Sequence, residues 1–379
     1  MRKVCVVIPS RSDYGSIKSA MRAIRRVSEL QVIACGAALV EKYGNAIDYI
    51  QRDGFNVDVS IDMLIEGDSP LVMAKTTGLG IIELSTAFNT LKPDVVLTVG
   101  DRYETMATAI AASYMNIPLA QTMCGEISGT LDETTRHAIT KMAHIHFPAS
   151  EDACRRVLRM GESGDHVYMV GCPRIDSVRN DRVEVGNLFE EYKGVGGIFN
   201  LNHPFLLVSQ HAVSTEYGMA RSQIEETLKA LDEIKMPTIM LWSNPDAGSD
   251  HIAKGIRTFR EHTDTNSWLH LFTNLPPEVY SALMDICACL IGNSSSGIRE
   301  GSALGVPVVN IGTRQIGRER SLNVLDVDYS ASQIGSGIEA QVAHGKYEPD
   351  YRYGDGYAGE RIAMILENCS LNINKRMTY

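Results

Sequence analysis

The stretch VVLTVGDRYETMATAIAASYMNIPLAQTMCGEISGTLDETTRHAITK, residues 95–141, decides how the rest of the chain is read. An apolar run ends in Gly100-Asp101-Arg102, a helical pattern follows, and a second apolar run ends near Gly125-Glu126. Short apolar runs alternating with helical periodicity mean parallel strands joined by helical crossovers. In such a sheet the carboxyl ends of the strands share one edge, where ligands bind, so acidic and basic groups are delivered there together. The segment then continues through Asp132, Glu133, Arg136 and His137 into another helical pattern. It reads as half of an active site.

The same alternation extends in both directions. KVCVVIP (3–9) is a strand ended by Pro9 and a polar turn, and a helix with apolar Ile17, Met21, Ile24 and Val27 follows. LQVIACGAA gives a second strand, NAIDYIQRDGF a helix stopped by Gly54, and residues 70–91 a third helix. Downstream come the strand IHFPAS, the helix EDACRRVLRMG and the strand HVYMVGCP. Residues 182–203, rich in Gly and Asn, read as a linker. A second α/β series starts at PFLLVSQHA and runs through ARSQIEETLKALDEI, PTIMLWSN, WLHLFTN, PEVYSALMDICA, CLIGNSSSG and PVVNIG. The expected fold is therefore α/β, two Rossmann-like domains facing a central cleft. The expected boundaries are 1–185 and 186–358.

A length of 379 residues allows two domains, each with its own core. With 36 Lys and Arg against 46 Asp and Glu, the formal net charge is −10, and no basic run exceeds two residues. That balance argues against nucleic acid or an anionic membrane as partner, while leaving room for a small anionic substrate held by a few arginines. The eight cysteines are scattered without a Cys-x-x-Cys pair and read as reduced thiols. A strand pattern beginning at Lys3 leaves no room for a signal peptide, and no apolar stretch is expected to reach membrane-spanning length, so a cytoplasmic protein is expected.

Several motifs carry chemistry, each against a plainer reading. Gly292-Asn293-Ser294-Ser295-Ser296-Gly297 lies between a strand and a helix expected to start near Ile298. Small residues let backbone amides approach a phosphate and hydroxyls add donors, although a Ser-capped turn would look the same. Neither a Walker ending nor an opening Gly-x-Gly-x-x-Gly is present. Glu300 could accept from ribose hydroxyls or simply sit well on a helix dipole. Arg314 and Arg318, in the run Gly312-Thr313-Arg314-Gln315-Ile316-Gly317-Arg318 after the strand PVVNI, suit bidentate phosphate binding. His211 follows the strand FLLVSQ at the cleft edge, where a site role competes with a structural one. His144 and His146 alternate along a strand, and without a third ligand packing explains them better than metal. Asp101, Glu126 and Asp132 bring three carboxylates together, an arrangement that pushes proton affinities apart and lets one act as base and another as acid. Asp132 could instead cap the helix TTRHAITK.

Taken in order, Arg11-Ser12-Asp13-Tyr14, Gly100-Asp101-Arg102, Gly125-Glu126 through Asp132, Arg136-His137-Ala-Ile-Thr-Lys141, Gly292 through Glu300 and Gly312 through Arg318 resemble the hydrolysing UDP-N-acetylglucosamine 2-epimerases. The resemblance implies the two-domain glycosyltransferase-B fold, with a C-terminal helix, 359–372, that returns to the N-terminal domain. It also implies a reaction with no metal or organic cofactor: the nucleotide diphosphate leaves as carbon 2 loses its proton, and water adds to the glycal-like intermediate. By this likeness Arg11, Arg102, Asn244, Ser294, Ser295, Gly297, Glu300 and Arg314 bind the nucleotide and its phosphates. Asp101, Glu126, Asp132, Arg136 and His211 form the catalytic cluster. A UDP-sugar substrate and a homo-oligomer, dimer or tetramer, are expected, with no nucleic acid or membrane partner.

Where the family usually has His-Ile-Glu-Gly or His-Ile-His-Gly, this chain has Gln121-Thr122-Met123-Cys124, and Ala38 and Pro276 stand where the family has His and Arg. Neither Gln121 nor Met123 can move a proton at neutral pH. The nucleotide half is kept and the sugar half has changed. UDP-N-acetylglucosamine is the default substrate; a UDP-2,4-diacetamido-trideoxyhexose, a glycosyltransferase reaction on the same fold, or catalytically silent nucleotide-sugar binding are the alternatives.

Overall fold

The computed structural model describes residues 1–67, 69–244 and 246–378. Among these, β1 (Lys3–Ile8), β2 (Glu29–Cys35), β3 (Val59–Ile61), β4 (Val95–Thr98), β5 (Leu119–Thr122) and β6 (Ile145–Phe147) form one parallel sheet in the order β3-β2-β1-β4-β5-β6. A second sheet holds β7 (Gly194–Gly196), β8 (Leu206–Ser209), β9 (Thr238–Leu241), β10 (Leu269–Phe272), β11 (Cys289–Gly292), β12 (Val308–Ile311) and β13 (Val324–Val327). Its order is β13-β12-β11-β8-β9-β10-β7, with β7 alone antiparallel. The architecture is that of the glycosyltransferase-B fold.

Both faces of each sheet are covered, which is why the strands read as unbroken apolar runs. In β1, Val4, Val6 and Ile8 enter one core with Ile17, Met21 and Ile24 of the helix Arg11–Val27. Cys5 and Val7 point the other way, to Leu84, Phe88 and Ile139. The second sheet divides in the same manner, Leu206 and Val208 against Leu228 and Leu231, Leu207 and Phe205 against Leu283 and Met284.

In the first sheet the connection order reverses between β1 and β4, in the second between β8 and β11. At these switch points adjacent crossovers leave toward opposite faces and a crevice opens. The two crevices face each other.

The helix Ala358–Asn368 lies along the helix Arg11–Val27, far back in sequence. Its Gly359 approaches Ala20 so closely that a Cβ would fall 2.7 Å from the Ala20 nitrogen. The Asp176 carboxylate accepts from the amides of Ala358 at 3.0 Å and Gly359 at 2.7 Å, fixing where that helix starts.

The sequence reading differs from the structure in several places. HVYMVGCP is not a strand: only Val167 bridges to His146, and Val170 and Cys172 are instead buried against the core as the chain crosses toward the helix Pro173–Asn180. The 182–203 linker contains the short helix Leu188–Glu191 and the edge strand β7. The helices Ser249–His262 and Ala331–His344, and β13, were not expected. The expectation that no apolar stretch reaches spanning length is also corrected. Pro70–Leu91 is long and apolar enough, with a mean hydropathy of 1.2. It packs on the first domain through Thr76, Gly80, Leu84, Ala87 and Phe88.

Candidate active site

The site grows from the strand ends at the two switch points. On the first domain β1 runs into Ser10, which caps the helix Arg11–Val27 by accepting from the Asp13 amide. This places Arg11, Ser12 and Asp13 in the cleft. β4 ends in Gly100-Asp101-Arg102, also at the cleft. After β5 the chain turns at Gly125, where φ is +73° and a Cβ would sit 2.3 Å from the Ala153 carbonyl, so only glycine fits. Thr130, not Asp132, then caps the helix Leu131–Met142, leaving the Asp132 carboxylate free to face the cleft from its first turn.

Asp101 and Arg136 form one unit. Arg136, 1% exposed, donates Nε to Asp101 at 3.0 Å, adds a second bond from Nη2, and gives Nη1 to the Glu126 carbonyl at 2.8 Å. Burial opposes the Asp101 charge, but the guanidiniums of Arg136, Arg318 and Arg299 outweigh it and hold the carboxyl below its usual range. Asp132 goes the other way: burial and then the Asp101 charge push it up, against the pull of Arg314 3.9 Å away. One carboxylate is thus kept ionised and a neighbour is made a proton acceptor near neutrality.

Glu126 does not line the cleft. It is 4% exposed, with Oε2 2.5 Å from Arg318 and Oε1 3.7 Å from Arg299, both on the second domain. It ties the domains together behind the site. Close by, the Gly129 amide donates to the Arg314 carbonyl at 3.1 Å, and a Cβ on Gly129 would collide with the Thr313 carbonyl.

On the second domain β8 ends at Ser209 and delivers His211, and β11 ends at Gly292 and delivers Ser294 and Ser295. Burial and then the Arg314 charge lower His211 to about 3, so the ring is neutral at pH 7. The Asn244 amide donates to its Nδ1 at 3.1 Å, which leaves the hydrogen on Nε2, facing Ser209 Oγ at 3.3 Å. The helix after β11 begins at Ser295, not near Ile298, and a second short helix begins at Glu300. Glu300 pairs with Arg174 at 2.5 Å. Gly297 faces away from the cleft: its Cα packs against Leu290 and Val308, each 3.0 Å from a Cβ built there.

Two of the phosphate-side arginines, Arg102 and Arg314, already have carboxylate partners. Arg102 Nη1 is 2.6 Å from Asp246 and its other nitrogens hold Glu104, which is fully buried. Arg314 is 4.0 Å from Asp246, and Arg11 bonds Asn274 and, at 3.3 Å, the Thr273 carbonyl. Sequence reasoning singled out neither Asp246 nor Asp13. Asp13 stood in a recognised motif without a role, and Asp246 lies before a helix that the sequence reading did not register.

Two of the four replaced positions, Gln121 and Met123, behave differently. Gln121 is fully buried and turned away, its amide donating to the Arg136 carbonyl and accepting from Thr140. Met123 does line the cleft, in a left-handed backbone conformation (φ +54°) that a bulky residue rarely adopts. Its sulfur lies against Arg299 and 3.6 Å from Cys172. His144 and His146 lie elsewhere: His146 meets Glu162 at 3.0 Å, and His144 faces the Ile373 carbonyl.

A family model described as UDP-N-acetylglucosamine 2-epimerase matches residues 22–367 of this chain. The chain belongs to that family. It is 33% identical over 384 residues, 100% of both chains, to the hydrolysing UDP-N,N'-diacetylbacillosamine 2-epimerase of Legionella pneumophila. It is 27% identical, over 97% of this chain and 96% of the other, to the UDP-N-acetylglucosamine 2-epimerase of Neisseria meningitidis. Among solved structures it resembles the Neisseria meningitidis enzyme bound to UDP-N-acetylglucosamine, with a TM-score of 0.77, 18% identity, and coverage of 96% of this chain and 99% of that one. The chain is a hydrolysing 2-epimerase.

Proposed function

We propose that this epimerase acts on a UDP-linked 2-acetamido sugar carrying a second acetamido group at carbon 4, with UDP-N-acetylglucosamine as the poorer substrate. The observation that carries the choice of sugar is the pairing of Met123 with Arg299 on the cleft wall. A 4-acetamido group adds a methyl and a carbonyl; the thioether offers the methyl an apolar contact, and the Arg299 guanidinium, which also lines the cleft, offers the carbonyl a donor. The Legionella relative, named for a diacetamido sugar, supports the same reading.

The chemistry follows from the residues. Arg11, Arg102 and Arg314, with the hydroxyls of Ser294 and Ser295, meet the diphosphate, whose charge grows as it leaves. Asp132, raised in proton affinity, takes the carbon-2 proton; the C–H pair becomes the C1=C2 bond and the C1–O pair goes to the diphosphate. Asp101, held ionised by Arg136, stabilises positive charge at the ring. Neutral His211 donates from Nε2 rather than acting as a cation. Glu126 positions: it holds the domains so that the two halves meet.

The test is incubation with each nucleotide sugar in heavy water. UDP and a free 2-epimeric sugar with one deuterium at carbon 2 are expected, at more than tenfold higher kcat/KM for the diacetamido substrate, roughly the range one matched apolar contact supplies. UDP release without deuterium would sink the elimination route. Equal or better turnover of UDP-N-acetylglucosamine would sink the choice of sugar.

A further inference from the structure

Epimerisation at carbon 2 through a planar glycal has a geometric requirement. The proton is removed from one face of the ring and returned to the other, so two proton-carrying groups must flank the sugar. Asp132 supplies one, and the position where the family usually has a titratable side chain is Met123. The structure holds another carboxyl in the cleft.

Three adjacent strands, β1, β4 and β5, each deliver an acid to the cleft: Asp13, Asp101 and Asp132. Asp13 opens the helix after β1, Asp101 follows β4, and Asp132 opens the helix that comes after β5, with β4 lying between β1 and β5 in the sheet. Asp13 is 5% exposed, and its Oδ1 lies 3.2 Å from where a Gly100 Cβ would be, so glycine at 100 keeps the space beside it open.

We propose that Asp13 is a catalytic acid of this site, delivering the proton that carbon 2 receives on hydration of the glycal, from the side opposite Asp132. The assignment rests on the elimination route above. In the hydration the Asp13 O–H bond breaks and the C1=C2 pair forms the new C2–H bond. Water oxygen then bonds to C1, and its proton passes to the Asp13 carboxylate, restoring the acid. Asp132, protonated in the first step, releases its proton to solvent, so the balance is UDP-sugar and water to sugar, UDP and one proton.

The surroundings suit an acid that is protonated in part at neutral pH. Burial pushes Asp13 up to about 7, opposed by Arg102 and by the Ser10 hydrogen bond, and assisted by the charges of Glu104 and Asp101. Buried Cys35, at the end of β2, adds no charge, its own thiol being raised by burial. The Asp13 carboxyl also bonds Ser10 Oγ at 2.5 Å, so the plainer role is a helix cap.

Those two roles separate experimentally. Wild type is first assayed in heavy water; without a carbon-2 deuterium the elimination reading itself falls, whatever Asp13 does. Given that label, D13N should form the free epimeric sugar about 10²–10⁴-fold more slowly. UDP and the unsaturated 2-acetamido sugar should accumulate, KM should change little, and the wild-type kcat limb near pH 7 should vanish. S10A loses the same capping bond but keeps the carboxyl, and should keep wild-type products. Wild-type products and pH profile from D13N, or a loss in S10A equal to that in D13N, would overturn the proposal. If D13N does not fold, D13E carries the test: it must show the same accumulation in weaker form, and normal products from it would overturn the proposal equally.

Discussion

Replacing Glu126 with Gln tests whether this acid works on the substrate or on the domains. Glu126 and Arg318 are each 4% exposed at the side chain and 2.5 Å apart; Arg299, 13% exposed, is 3.7 Å from the other carboxylate oxygen. Removing one charge of a buried pair costs about 3–5 kcal/mol, because the partner stays buried and uncompensated. Here two guanidiniums lose their shared counter-charge, which favours the upper part of that range. The Gln carbonyl still accepts one hydrogen bond, which returns about 1 kcal/mol. The net loss expected for E126Q is about 3 kcal/mol, measured by urea unfolding at pH 7. In a cycle with R318M the coupling should reach about 1–3 kcal/mol, as for residues in one ion-pair network. Since Glu126 does not line the cleft, kcat should keep its pH dependence while KM rises. A stability loss under about 1 kcal/mol with a displaced kcat pH profile would refute the reasoning and put the carboxyl on the substrate.

The remaining expectations are briefer. His211 should not titrate between pH 5 and 8 by NMR, its carbon-bound ring protons staying at neutral-imidazole shifts. The unfolded chain binds a proton there below about 6.5 that the folded chain refuses down to about 3, so its contribution to stability is flat above 6.5 and falls as pH drops through that window; H211N should flatten that part of the curve. M123E places a carboxylate beside Arg299 and should shift kcat/KM toward UDP-N-acetylglucosamine by about tenfold or more, read as the ratio for the two sugars. D246N strips the counter-charge from Arg102 and Arg314; the ligand-free protein should lose about 3 kcal/mol, and UDP should raise its melting temperature more than it raises that of wild type.

What the sequence revealed followed from how strongly one physical signal dominated each segment. KVCVVIP and VVLTVG are buried on both faces and flanked by turns, so their runs could be nothing but inner strands. HVYMVGCP has the same composition, yet Val170 and Cys172 bury against helices with no strand partner, and periodicity registers burial rather than pairing. β7 escaped for the opposite reason. Two of the three residues in Gly-Val-Gly are glycines, which are depleted in strands, yet they fit here because a Cβ on Gly194 would strike His270; the edge of β10 selects small residues there. In the site, the motif residues at strand ends were legible because topology alone carries them to one edge. Which way a side chain turns from that edge was not. Glu126 and Gly297 turn inward, while Asp13 lies toward Arg102 on its own domain and Asp246 reaches Arg102 from the other side of the cleft.

The placement of arginines explains how acids of similar chemistry come to differ. Asp13 is buried and Asp101 and Asp132 are partly so, and desolvation alone would raise all three. Asp101 escapes because Arg136, 35 residues on in the sequence and on the helix after the neighbouring strand β5, sits in direct contact with it. Arg314 stands 3.9 Å from Asp132, too far and too shared with Asp246 to offset burial and the Asp101 charge. Asp13 faces Arg102, but that guanidinium is already committed to Glu104 and Asp246. Buried ion pairs add little net stability, so their concentration at these strand ends is better understood as a way of setting charge. One arginine in direct contact with Asp101, and two others divided among several acids, are enough to leave one carboxylate ionised beside two that can carry a proton.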